Sequence, residues 1–222
     1  MLSIESLKFI DDLTANNNRD WFLDNKKRYE KYKSDYQSLV AKFLTEMKPL
    51  DSTLELLEVK NCTFRINRDI RFSKDKTPYK NHLGIWMSSG TKGANRAGYY
   101  IHIGKDESFI AGGFYSPEAP DLKKVRKEIA FFYEDLEEII ANESFKGIYG
   151  SLDQANSLKN APKDYEKDHP AIEFLKLKSF TTAQKFDYND ATKSDFVKNT
   201  VEKLIILKPL NDFINRALTT ED

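Results

Sequence analysis

Apolar residues recur at three- and four-residue steps over two stretches near the start of the chain. Leu7, Ile10 and Leu13 follow Ser3, whose hydroxyl can accept backbone N–H bonds, so the spacing predicts a helix over residues 3–15 that the Asn16-Asn17-Asn18 run ends. From Arg19 to about Lys48 the same period carries Phe22, Tyr29, Tyr32, Tyr36, Leu39 or Val40, Phe43 and Met47 until Pro49, which predicts one long helix over 19–48. Thirty helical residues reach roughly 45 Å, the breadth of a domain. Its tyrosine stripe reads as core or as contact with a second copy, rather than as a cofactor or base-stacking surface, because tyrosine commonly buries its ring and keeps its hydroxyl wet.

The period then drops to two. Cys62, Phe64 and Ile66 alternate with Thr63, Arg65 and Asn67; Leu83, Ile85 and Met87 alternate with His82, Gly84 and Trp86. Tyr99, Ile101 and Ile103 alternate with Tyr100, His102 and Gly104, Ser108 to Tyr115 makes a fourth run, and Ser179 to Gln184 reads as a further strand. The expected sheet is mainly antiparallel, with about five strands over residues ~62 to 115 plus ~179 to 184. The connection Ser88 to Gly98, bearing Lys92 and Arg96, reads as a long hairpin loop, with a mobile cover over an anion as the alternative.

After Pro117 and Pro120, the positions of Leu122, Val125, Ile129, Phe132, Leu136 and Ile139 predict one amphipathic helix ending near Asn142. Residues 143–167 read as irregular, with Gly147, Gly150 and Pro162 as breakers, and His169-Pro170 opens a short helix through Leu175. Ser194 caps a helix carrying Val197, Val201, Leu204 and Ile205, which Pro209 bends or breaks before Phe213 to Leu218. The fold class is therefore α+β, a sheet packed with N-terminal, central and C-terminal helices. No linker-like segment divides the chain, so residues 1–222 read as a single domain.

Composition narrows the class. With 40% apolar and 13% aromatic residues the chain can fill a core, and 32% charged residues describe a solvated surface, which argues against disorder. The amino terminus lacks a basic start followed by an apolar core, and no run approaches roughly 18 apolar residues, so the protein is expected in the cytoplasm with no membrane contact. Cys62 is the only cysteine, which leaves no intrachain disulfide and fits a reducing compartment. Set in an apolar alternation, it reads as a small packed hydrophobe rather than a catalytic thiol.

Charge changes the picture most. The net charge is zero, yet residues 60–105 hold ten Lys or Arg against Asp69 and Asp75, a balance of +8 that leaves −8 for the rest. No acidic residue lies between Lys76 and Lys105. The densest part is Asn61 to His82, where Arg65, Arg68, Arg71, Lys74, Lys76 and Lys80 are the candidate anion-binding residues, with Asp69, Asp75, Tyr79, His82 and His102 in support. Converging guanidinium forks suit a phosphate or carboxylate, and lysines add charge without fixed geometry. The competing reading makes Arg65, Arg68 and Asp69 a scaffold of ion pairs.

On one continuous strand Arg68 would share the apolar face of Phe64, Ile66, Ile70 and Phe72. Alternatively the strand ends near Asn67 and a turn through Ser73 to Pro78 follows. His82 and His102 lie on the non-aliphatic face of neighbouring strands. With Asp69 or Glu118 they could form a metal or acid–base site, although two ordinary strand histidines are the simpler reading and no metal is assigned. Phosphate-loop, dinucleotide, zinc-protease and nucleophile-elbow signatures are absent.

At Arg65, Arg68, Asp69, Arg71, Phe72, Asp75, Lys76 and Tyr79 the sequence resembles the signature of the family catalogued as domain-of-unknown-function family 2461. These are eight fixed positions within residues 65–79. The likeness extends from NNNRDWF at residues 16–22 through Gly112-Gly113, SPEAPDLK and KDHPAIEFLKLKSF to LNDFINRAL. The resemblance brings no activity, substrate or catalytic assignment with it and sharpens only the position of the site.

The leading expectation is a protein that binds a phosphate-bearing or other anionic small molecule, with no cofactor named and a reaction left open. A nucleic-acid module is the first alternative, since Tyr79, Trp86, Tyr99 and Tyr100 are interleaved with the basic residues and could stack on bases, although zero net charge opposes it. The second is an assembly protein that forms a homo-oligomer through helix 19–48.

Overall fold

The computed structural model describes residues 1–89 and 95–219. In chain order the helices and strands are α1 (Ile4–Ala15), α2 (Arg19–Asp24), α3 (Lys26–Met47), α4 (Val59–Cys62), β1 (His82–Ser88), β2 (Gly98–Gly104), β3 (Ser108–Phe114), α5 (Ala119–Phe131), α6 (Tyr133–Ala141), α7 (Glu143–Tyr149), α8 (Ile172–Leu175), β4 (Phe180–Lys185), α9 (Phe196–Leu204) and α10 (Lys208–Thr219). The strands form one antiparallel sheet in the order β1-β2-β3-β4, so the chain is α+β. No helix among the described residues is long and apolar enough to cross a membrane.

The sheet has four strands rather than about five, because residues 62–67 do not pair as one. Cys62 closes the single turn of α4, and beyond it the segment meets β1 only at the isolated bridge Thr63↔Ile85. The backbone N–H of Phe64, which a ladder would use, is taken at 3.1 Å by the hydroxyl of Tyr36. That hydroxyl in turn donates to the carbonyl of Gly84 in β1, so one buried tyrosine ties the segment to the sheet.

The long helix expected over 19–48 is two helices. Asn25 interrupts it with φ −102° and ψ 16°, and both its backbone N–H and its carboxamide donate to the Trp21 carbonyl at 3.0 Å. Asparagine thus offers the α2 carbonyls a partner outside the helix ladder, and α3 starts afresh. Tyr32 and Tyr36 of the stripe are buried within this chain. Similarly the helix expected to Asn142 breaks at Phe132, with φ −125° and ψ 42°. Asn142 is a start as well as a stop: its carboxamide accepts from Ser144 and Phe145 N–H at 3.0 and 3.4 Å, so part of the expected irregular stretch is helix α7. Pro209 sits in the first turn of α10, where a missing N–H costs nothing, and the interruption is the 3₁₀ turn Ile205–Leu207 before it.

The described residues divide into two compact units. The first comprises Met1–Met87, Tyr100–Ile110 and Lys185–Glu202. Ser3 caps α1 by accepting the Ser6 N–H at 3.2 Å, and Phe9, Leu13, Leu39, Val40, Phe43 and Met47 of α1 and α3 are fully buried together with Ile85, Ile101 and Ile103 of the sheet. Burying each such side chain contributes about 1.5–3 kcal/mol. The second comprises the described residues of Ser88–Tyr99, Ala111–Gln184 and Lys203–Asp222. There Arg216 of α10 binds Glu128 of α5 at 2.5 Å and Asp135 of α6 at 3.1 Å, and buried Asn211 accepts the Gly113 N–H at 3.0 Å.

Gly113 has φ +107°, and a Cβ there would lie 1.9 Å from the Phe180 carbonyl oxygen across the sheet. Gly113→Ala is therefore expected to destabilise the protein by about 2 kcal/mol or more, read as a lowered urea midpoint with little change in slope.

Candidate functional site

The cationic signature is a loop of the first unit that returns on itself. Arg68 N–H donates to the Pro78 carbonyl at 2.9 Å, Lys80 N–H to the Ile66 carbonyl at 2.8 Å, and Asn67 bridges Tyr79. The base of the loop is fixed by Asn17, whose carboxamide donates to the Tyr79 carbonyl at 2.9 Å and accepts its N–H at 3.1 Å. The Tyr79 ring is buried and stacks on Phe22 with centroids 4.0 Å apart. Tyr79 is thus an anchor inside the fold. Its partners Asn17 and Phe22 lie in NNNRDWF, far away in sequence, and no local pattern pairs the two segments.

The six candidate cations divide into two sets. Arg68 turns into its own loop, where Nη1 donates to Asp75 Oδ2 at 2.5 Å, to the Thr77 carbonyl at 3.0 Å and to the Thr77 hydroxyl, with Ser73 Oγ 3.5 Å from Nη2. It faces neither the apolar core nor open solvent. Arg71 forks onto Asp69 through Nε at 3.0 Å and Nη2 at 2.7 Å, and Lys76 donates to the Ile70 carbonyl at 2.9 Å. The Thr77 backbone N–H and hydroxyl, then Arg68, hold the Asp75 carboxyl below its usual range; the Arg71 bonds do the same for Asp69. By contrast, among the described residues the side chains of Arg65, Lys74 and Lys80 make no ion pair and no hydrogen bond, and Lys80 lies over the Phe64 ring at 5.0 Å.

Next to Lys80 the non-aliphatic face of the sheet carries a row of stacked rings. His82 and His102 stack with centroids 4.2 Å apart, and His102 stacks on Phe109 at 4.9 Å, nearly parallel at 5°. The Tyr100 hydroxyl lies 3.1 Å from His102 Nδ1, and the Phe64 ring meets Tyr100 edge-on at 6.5 Å. Gly84 leaves space for that phenol, since a Cβ there would sit 2.9 Å from its oxygen. The alternation of β1 and β2 therefore brings His82 and His102 together on the half-buried face, as their spacing implies.

Burial, followed by the charges of His102, Lys80 and Arg68, pulls the His82 imidazole down from 6.5 to about 4 against an opposing pull from Glu107. Burial also lowers His102, and burial followed by Arg65 lowers the Lys80 ammonium. Burial and then Glu107 raise the Tyr100 phenol. At neutral pH the imidazoles are thus uncharged and present both donors and acceptors, while the local positive charge sits on Lys80 and Arg65. Burial pushes the Cys62 thiol up to about 11, so it is no nucleophile.

Other expected groups lie elsewhere. Asp69 is engaged by Arg71, Glu118 belongs to the second unit, and among the described residues no three His, Cys, Asp or Glu stand where they could hold a metal ion. Arg96, also in the second unit, donates to the Asn215 carbonyl at 3.3 Å. Lys92 and the rest of residues 90–94 of the expected covering loop lie outside the described residues. Of the four aromatics that could stack on bases, Tyr79 and Tyr99 are buried and Trp86 and Tyr100 half-buried. Sequence reasoning missed Phe64 as a platform and Phe109 as the third stacked ring; the alternation of β3 carried the signal for the second.

The family model described as "Conserved hypothetical protein (DUF2461)" matches residues 5–213, and the chain belongs to that family. No curated protein and no solved structure matches the chain.

The lowered His82 value fixes a pH dependence. Because the folded value lies below the unfolded one, the unfolded chain binds the extra proton, so the stability contributed by neutral His82 is full above about pH 6.5 and is lost as pH falls toward about 4. An imidazole NMR titration is expected to give His82 a midpoint near 4, and His82→Gln to flatten the fall of unfolding free energy across that window. A midpoint near 6.5 contradicts the electrostatics described here.

Proposed function

We propose that this family member binds a phosphate-bearing or other anionic small molecule in the cytoplasm, seated on Arg65 and Lys80 beside His82 and Tyr100. The observation that carries this reading is the division of the cations. Arg68, Arg71 and Lys76 are satisfied within the loop, whereas the side chains of Arg65 and Lys80 make no hydrogen bond and no ion pair among the described residues and repel one another, with Asp69 drawing on Arg65 only through its field. Like charges near a protein surface repel, so an oxyanion between them replaces repulsion by attraction. Arg65 offers a planar fork, Lys80 a point charge, and neutral imidazole and phenol add directed donors. The charge of Arg68 also reaches His82 and extends the field.

In this reading Arg68, Arg71, Lys76, Asp69 and Asp75 shape the loop that presents Arg65 and Lys80, and exposed Lys74 adds to the field. Neutral His82 and His102 and the Tyr100 phenol offer directed hydrogen bonds to the bound anion on the same face. The single buried cysteine fits a reducing compartment.

Titrating the protein with inorganic phosphate and pyrophosphate, followed by backbone NMR shifts, tests the reading. Arg65→Ala and Lys80→Gln are each expected to weaken binding about tenfold, in line with a charge-assisted hydrogen bond of about 1.5–3 kcal/mol. Arg68→Ala is expected to speed amide exchange over residues 68–79 and to weaken binding less. Unchanged affinity in both Arg65→Ala and Lys80→Gln overturns the proposal.

A further inference from the structure

We propose that the anion bound at this face is a nucleoside phosphate, whose heteroaromatic base lies on the exposed ring of Phe64 while its phosphate takes the Lys80 ammonium. The inference rests on the anion-binding reading and names the ligand class for it.

Every group involved belongs to the first unit. Single exposed apolar side chains are ordinary on a protein surface, but Phe64, 47% exposed, does not stand alone. Its ring meets Tyr100 edge-on at 6.5 Å, and Tyr100 lies 6.0 Å from His102 and 5.8 Å from Phe109. With the His82–His102–Phe109 row this makes one connected group of five rings, of which all but Phe64 are half-buried. The Phe64 platform is fixed, because its backbone N–H is bonded to the Tyr36 hydroxyl at 3.1 Å and that hydroxyl to the Gly84 carbonyl of β1. Gly84 also lacks the Cβ that would lie 3.3 Å from Phe64 Cδ2, which leaves room for the ring. An aromatic surface of this kind accepts a further ring by offset or edge-on contact.

Charge selects which ring. The Lys80 ammonium lies 5.0 Å from the Phe64 centroid and makes no hydrogen bond and no ion pair among the described residues. The aromatic face attracts it as a cation, so it stays available to an anion. That distance places an anion held by Lys80 and a ring held by Phe64 within one small molecule. The lysine stem is flexible, so a phosphate draws the ammonium off the ring face and the base of the same ligand takes its place. A heteroaromatic base suits the face better than a plain phenyl ring, because polar ring edges lie beside the platform. The Tyr100 hydroxyl engages His102 Nδ1 at 3.1 Å, and His82 Nδ1 lies 3.4 Å from Asn81 Oδ1. Both Nε2 atoms are left without a hydrogen bond among the described residues and can pair with the nitrogen and oxygen atoms of a base.

The 5′-monophosphates of adenosine, guanosine, cytidine and uridine are the probes, with ribose 5-phosphate and the free nucleosides as controls. Each is titrated into the full chain near neutral pH and followed by calorimetry. At least one nucleotide is expected to bind about tenfold tighter than ribose 5-phosphate and about tenfold tighter than its own nucleoside, as base stacking joined to a phosphate contact requires. Phe64→Leu, checked as folded by its urea midpoint, is expected to shrink the preference over ribose 5-phosphate to about twofold or less. Nucleotides that bind no tighter than ribose 5-phosphate, or a preference that Phe64→Leu leaves intact, overturn this inference even where inorganic phosphate binds. A nucleoside that binds as tightly as its nucleotide sustains the base platform and overturns the anion-binding reading instead.

Discussion

A guanidinium drawn away from water needs an acceptor, and the loop from Ile66 to Lys80 supplies its own. Arg68 gathers Asp75, Thr77 and Ser73 around one side chain that is only 25% exposed, so the loop closes on a charge rather than on an apolar core. With Arg68 paired to Asp75, Arg71 paired to Asp69 and Tyr79 locked between Asn17 and Phe22, the loop can remain folded while the side chains of Arg65 and Lys80 stay without a hydrogen bond or ion pair among the described residues. Exposed ion pairs contribute little stability one by one, so the closure depends on the combined set of backbone and side-chain bonds around Arg68.

The face beside this loop follows from the alternation of β1 to β3. One set of side chains, Ile85, Ile101 and Ile103 among them, fills the core, and the opposite set is half-buried and includes His82, Tyr100, His102 and Phe109. Partial burial is what keeps the imidazoles neutral, and at His82 the charges of Lys80 and Arg68 reinforce it. Cations and uncharged imidazoles therefore share one small area.

Much of this was legible in the chain. The period-two runs located β1, β2, β3 and β4 to within about a residue, and the same runs placed His82 and His102 on one face. The signature located the loop. What was not legible depends on contacts distant in sequence: Tyr36 claims the Phe64 N–H and removes a strand that Cys62, Phe64 and Ile66 imitate. Asn25 and Phe132 break helices whose hydrophobic period runs straight through them, because the period reports burial and not backbone continuity. Six basic residues in one stretch looked alike, and only the positions of Asp69, Asp75 and the Ile70 carbonyl separated those already partnered from those that are not.

The central claim is that Arg65 and Lys80, and not the more conspicuous Arg68 and Arg71, hold the anion. Anomalous difference density from crystals soaked in selenate tests it most directly. The account predicts a peak within hydrogen-bond distance of both Arg65 and Lys80, with Arg68 still on Asp75 and Arg71 still on Asp69. A peak that displaces Asp75 or Asp69 to reach Arg68 or Arg71, with none at Lys80, would contradict it.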